Sequence, residues 1–170
     1  MSNEIELSQL RAQVADFERQ IAAYEAEQQR LHGLIDLFDK MDFEAFSRHD
    51  WDLFRTLHSH HTHVVMPDGS TIDGIDAHTT DMQNMVSFMP DLRITAHPVK
   101  LAMGDWTAVI GEVTGTFTEP MNVPGGTDIA PTGKHIKFSM ATFARWVDGQ
   151  IAEEILFWDN ADMMKQLGLA

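Results

Sequence analysis

Four of the nine histidines in this chain of 170 residues fall in one stretch, Leu57-His58-Ser59-His60-His61-Thr62-His63. An imidazole titrates near neutral pH and serves equally as a proton carrier and as a ligand for a divalent cation. Strand alternation puts His61 and His63 on one face, a spacing that can chelate a metal with His78 or Glu154 as third ligand. No further clear ligand completes that set, so neither a metal nor any other cofactor is assigned. His58 and His60 read instead as parts of an exposed turn from helix to strand.

The second group able to do chemistry is Glu154, carried in the run Ile151 to Trp158. Alternation sets Glu154, Leu156 and Trp158 on one face, and Phe138, Met140, Thr142 and Ala144 on one face of the preceding apolar segment. If these faces turn inward, as the family resemblance given below implies for Leu156, they line a mostly apolar cavity holding a carboxyl and one or two imidazoles. An apolar wall raises a carboxyl pKa, so Glu154 paired with His63 is a candidate acid/base couple for an isomerase, dehydratase or cyclase. The bland alternative is a glutamate at the pocket edge and a histidine hydrogen-bonded within the sheet. Asp159 is a third candidate acid at the pocket mouth, and it equally suits the N-cap of a closing helix from about Ala161 to Leu167. His61, His78, Met140, Thr142, Leu156 and Trp158 complete the candidate site as substrate contacts. Met82, Met85, Phe88 and Met89 recur at helical spacing and read as core or as a pliable pocket wall.

Composition narrows the partners. Lys and Arg total 12 against 26 Asp and Glu, a formal charge of −14, with the basic residues scattered, so nucleic acid and anionic membranes are excluded as first partners. The chain has no cysteine, which removes disulfides, thiolate metal sites and a cysteine nucleophile. No GxSxG elbow, phosphate-binding loop, dinucleotide fingerprint or HExxH is present. The polar, acidic start from Met1 to Leu10 and the lack of a long apolar run predict a soluble, cytoplasmic protein.

The elements that must position these groups follow from periodicity. Leu7, Leu10, Val14, Phe17, Ile21, Tyr24, Leu31, Ile35 and Phe38, with Gln28 between, step by threes and fours as in a heptad repeat. Residues 1–34 therefore read as a helix and coiled coil joining copies of the chain, a dimer being the simplest homo-oligomer; the alternative is a helix laid along its own domain, since Phe17 and Tyr24 are bulky for a tight two-stranded seam. Residues 35–170 read as a pocket domain. Helical spacing continues to a break at Ser47-Arg48-His49-Asp50, and Asp50 caps a short helix from Trp51 to about Leu57. A strand from Thr62 to Met66, a turn Pro67-Asp68-Gly69-Ser70 and a helix from about Ile75 to Ser87 follow. Four strands then dominate: Arg93–Leu101, Asp105–Thr118, His135–Trp146 and Ile151–Trp158. The loop Pro120–Gly133, with three Pro and three Gly, is the candidate lid. Helices followed by an antiparallel meander give an α+β fold, a curved sheet wrapped on helices around a conical pocket.

This order, with Pro67-Asp68-Gly69, Gly104-Asp105-Trp106, Gly115-Thr116-Phe117, Pro131-Thr132-Gly133-Lys134, Glu153 to Asn160 and Gln166-Leu167-Gly168-Leu169, resembles the SnoaL-like polyketide cyclases, or ester cyclases, of the nuclear transport factor 2-like fold. The resemblance spans about residues 35–169. It implies a carboxylate on the last strand as general acid/base, and that slot holds Leu156 here. It also implies a pocket asparagine where His63 stands, and a histidine where Thr142 stands. Two functional readings follow. One is a cofactor-free acid/base enzyme of cyclase, isomerase or dehydratase type acting on a small hydrophobic carbonyl or ester compound. The other is a non-catalytic small-molecule-binding or assembly domain, oligomerised through its N-terminal helix.

Overall fold

Helix α1 runs from Ser2 to Lys40, 39 residues without a proline or a β-branched run to stop it. The computed structural model describes residues 2–123 and 125–170, so Met1 and Pro124 lie outside the described residues. The chain divides into two compact units, one ending at Gly33 and one beginning at Leu34. In the first unit Leu7, Leu10, Val14, Phe17, Ile21 and Tyr24 are between 49% and 66% exposed. The heptad seam of this unit therefore has no cover within the unit itself.

In the second unit the apolar stripe continues through Leu34, Phe38, Met41 and Ala45, all buried. The helix loosens into a π-helical turn from Met41 to Phe46, a conformation frequent at functional sites. Ser47 closes it, its backbone N–H and its hydroxyl both donating to the Asp42 carbonyl at 3.0 and 2.6 Å. Helix α2, Trp51–Leu57, starts where Asp50 accepts a hydrogen bond from the Leu53 N–H, as the sequence predicts.

Strand β1 spans His58–Val65, β2 Thr71–Asp73, α3 Ile75–Phe88, β3 Arg93–Met103, β4 Trp106–Thr116, β5 His135–Val147, β6 Gln150–Phe157 and α4 Asn160–Leu167. They form one curved six-stranded sheet of order β2-β1-β6-β5-β4-β3. The later strands make the antiparallel meander expected of them. The first does not join it that way: β1 lies parallel to β6, so the sheet is mixed. A short hairpin strand, β2, covers the outer edge of β1 with Asp73 opposite His63.

Strand β1 also starts four residues earlier than its sequence suggests. His58 pairs with Ile151 and His63 with Glu153, so five steps along β1 match two along β6 and the strand bulges between them. The core lies between the helices and the concave side of the sheet, where Phe38, Phe54, Phe117, Met89, Leu92, Ile136 and Ile151 are fully buried. The candidate lid is tied down rather than free. Met121 and Ile129 bridge each other, both pack on the core, and Phe117 exchanges backbone hydrogen bonds with Gly133 and Lys134. Among the described residues no helix is long and apolar enough to cross a membrane.

Candidate active site

Register on β6 decides where its carboxylate goes. Glu154 sits opposite Val64 of β1 and Ala144 of β5, both completely buried, and is itself 2% exposed. Two imidazoles meet it there. His78, turned inward from α3, places Nε2 3.1 Å from Glu154 Oε2, and His58, at the start of β1, places its Nε2 3.6 Å from the same oxygen. His58 Nδ1 is committed to the Phe54 carbonyl at 2.8 Å, so that nitrogen is the donor. Burial alone would raise the Glu154 carboxyl. The two histidines outweigh it and hold the group well below the usual carboxylate range. At 3.6 Å the His58 Nε2 is just beyond hydrogen-bond distance of that oxygen and has no other partner.

A second carboxylate lines the same cavity. Asp42, in the π-helical turn, is 3% exposed, and its Oδ2 lies 2.7 Å from His97 Nε2. His97 Nδ1 contacts Asp39 Oδ1 at 2.8 Å, and Asp39 Oδ2 accepts from Lys100 at 2.7 Å. Burial pushes the Asp42 carboxyl up to about 6 despite the hydrogen bond and charge of His97. Burial opposes the His97 cation, but Asp42 and Asp39 outweigh that effect and raise its pKa. Asp39 is shifted the other way: its partial burial is overcome by Lys100 and His97, which lower it. Both ring nitrogens of His97 thus donate to carboxylates, and Phe38 and Phe43 pack on the ring at 5.8 and 4.3 Å between centroids. Gly111 on β4 makes room for this arrangement, since a Cβ there would lie 3.3 Å from Ile94 Cγ2 and 3.7 Å from the His97 ring.

The rest of the cavity wall is apolar: Phe46, Phe54, Phe138 and Trp158 supply rings, and Met41, Met82, Met85 and Met140 supply flexible thioethers. It holds about 560 Å³ free of atoms, part of it open to solvent. Among the described residues no Lys or Arg lines it. Such a wall favours an uncharged, hydrophobic guest and offers an anion no counterion.

The structure brings some of the sequence candidates together and separates others. Glu154, His78, Met140, Thr142, Leu156 and Trp158 all line the cavity. His63 does not: on β1 it is Thr62 and Val64 that are buried, and His63 turns to the opposite face, where its Nδ1 meets Asp73 at 2.7 Å. His61 is likewise exposed, packed edge-on against His60. Asp159 is exposed and caps α4, its Oδ1 accepting from the Asp162 N–H at 2.9 Å. Three members of the site were not among the candidates. Sequence periodicity shows β1 only from Thr62 and so leaves His58 in a turn. Asp42 carried a readable signal, a lone carboxylate within the buried stripe Phe38, Met41, Ala45. His97 carried none.

The element order and the curved mixed sheet enclosing this cavity define the nuclear transport factor 2-like fold. Within it, residues 39–167 match the family model of the SnoaL-like polyketide cyclases, and the chain belongs to that family. Solved structures agree in fold. IdmH of Streptomyces antibioticus, a candidate polyketide cyclase, is 25% identical with a TM-score of 0.67, covering 79% of this chain and 98% of its own. A candidate polyketide cyclase of Xanthomonas campestris is 19% identical with a TM-score of 0.70, covering 81% and 98%. A candidate ketosteroid isomerase of Kribbella flavida is 18% identical with a TM-score of 0.57, covering 76% and 80%. No curated protein matches the chain in sequence.

Proposed function

We propose that this protein is an acid/base enzyme of the cyclase or isomerase type, acting on a small hydrophobic carbonyl or ester compound. The observation that carries the reading is the placement of Asp42: a buried carboxyl, pushed up to about 6 by that burial, on the same apolar cavity as the Glu154–His78 pair. Asp42 is suited to take a proton from the carbon beside the carbonyl, with His97 balancing the charge of the carboxylate. His78 is suited to donate to the carbonyl oxygen, where negative charge grows. Its Nε2 is oriented by Glu154, and its Nδ1 has no partner in the protein. In this reading Glu154, held low by its histidines, positions His78 instead of carrying the proton itself; Asp42 takes the base role expected of the Glu154–His63 couple, and Asp159 serves as a cap.

The test is exchange of the proton beside the carbonyl in D2O, followed by proton NMR over a panel of cyclic ketones and β-keto esters. Catalysed exchange on at least one compound, lost in Glu154→Gln, is the expected result. A second reading is favoured by Leu156, which lines the cavity where the family's catalytic acid is expected: a domain that binds such compounds without turning them over. Binding by calorimetry with no exchange on any compound would select it.

The exposed heptad seam of α1 supports pairing of two copies of this chain through Leu7, Leu10, Val14, Phe17, Ile21 and Tyr24. Leu10→Glu with Ile21→Glu in the full chain should convert a particle of two chains into one of a single chain, measured by light scattering on a sizing column. An unchanged mass in the double variant would remove this interface.

A further inference from the structure

We infer that His58, His78 and Glu154 form a binding site for a divalent transition-metal ion. One ligand atom from each lies within 4.8 Å of the others, and all three side chains are buried. Ligands at zinc bond lengths in a tetrahedral shell stand roughly 3.4 Å apart. The imidazole nitrogens stand 3.1 and 3.6 Å from the shared carboxylate oxygen.

The Phe54 carbonyl holds His58 by its Nδ1 and turns Nε2, buried and without a hydrogen-bond partner, toward the Glu154 carboxylate oxygen. A buried nitrogen without a hydrogen bond is costly, and an ion shared with that oxygen would satisfy it. A backbone carbonyl holding the far N–H is also the usual outer support of a metal-bound histidine, because it fixes both tautomer and ring direction. Two imidazoles and one carboxylate suit zinc, iron, cobalt or nickel, and are a poor set for magnesium or calcium. His78 and Glu154 both line the cavity, so an ion held between them keeps a coordination position on the cavity side, where a carbonyl oxygen can bind.

The inference rests on this geometry and not on the proton-transfer reading; an ion here replaces the proton as the electrophile and leaves Asp42 untouched. To test it, the full chain is stripped with a chelator, dialysed, and titrated with Zn²⁺ alone by calorimetry. Co²⁺ alone is added in parallel to read the visible bands of a low-coordinate site. One equivalent per chain is expected, with affinity at least 100-fold weaker in His58→Gln and in Glu154→Gln and unchanged when His60, His61 and His63 are all replaced by Ala. Should the buried-site variants unfold, NMR of the wild-type imidazoles decides: Co²⁺ must broaden the His58 and His78 ring signals at one equivalent. No uptake by the folded, stripped protein overturns the inference. So does uptake lost with the three exposed histidines, or ring signals of His58 and His78 that do not respond.

Discussion

Asp42→Asn will slow the exchange reaction by about 10²- to 10⁴-fold, the ordinary worth of one positioned acid/base group, while the chain stays folded. The wild-type rate will fall below pH about 6, as the Asp42 carboxyl takes up the proton that burial makes it retain. His97→Asn will move that fall to higher pH, because the hydrogen bond and charge of His97 are what hold Asp42 down. The same group imprints on stability. Its folded pKa of about 6 lies above its ordinary 3.8, so the folded state binds more protons than the unfolded one and stability declines as pH rises between these values. The difference amounts to something of order 3 kcal/mol at neutral pH. Glu154 pulls the opposite way, since its lowered pKa lends stability above its ordinary 4.5 that is lost at lower pH. Above pH 4.5 the carboxyls that burial raises, Asp42 and the half-buried Asp81, both make stability fall as pH rises. Urea midpoints between pH 4.5 and 6 should drop with rising pH in the wild type and drop clearly less in Asp42→Asn. A full exchange rate in Asp42→Asn, or a limb that ignores His97→Asn, would take Asp42 out of the mechanism.

What was legible in the sequence depended on whether the backbone kept its period. β5 keeps period two at the cavity, so the inward set Phe138, Met140, Thr142 could be read directly. On β6 the same rule placed Glu154, Leu156 and Trp158 together, and the structure has all three on the cavity. On β1 alternation holds from Thr62 to Val65 but cannot say which face is inward: the family resemblance puts His63 in the cavity, whereas the burial of Thr62 and Val64 fixes the opposite parity. The bulge between His58 and His63 hides the earlier start of the strand, and with it the buried His58. β3 breaks it twice, between Ile94 and Ala96 and between Ala96 and Val99, which hides the inward turn of His97 from any periodic reading. The parallel pairing of β1 with β6 was hidden for a related reason. It is a contact between the first and last strands of the sheet's sequence order, and local turn chemistry carries no information about such a pair.

Glu154→Ala will cost about 3 to 5 kcal/mol, because it leaves two buried imidazoles facing a void where their counter-charge stood. Replacing all three partners together, as His58→Phe, His78→Leu and Glu154→Leu, will cost less than that single change. No buried charge then remains to be solvated, and the chief loss is the hydrogen bond from His58 to the Phe54 carbonyl, about 1 kcal/mol. Urea unfolding at pH 7 with a chelator present measures both variants free of metal. The triple variant should lie within about 2 kcal/mol of the wild type, since buried ion clusters exchanged for apolar groups of similar volume are often neutral. A triple variant as unstable as Glu154→Ala would make the cluster a structural element of this core. A stable, folded triple variant that neither catalyses exchange nor takes up Zn²⁺ has the opposite meaning. The fold would then do without His58, His78 and Glu154, and the placement of His78 and Glu154 on the cavity would answer to chemistry and not to stability.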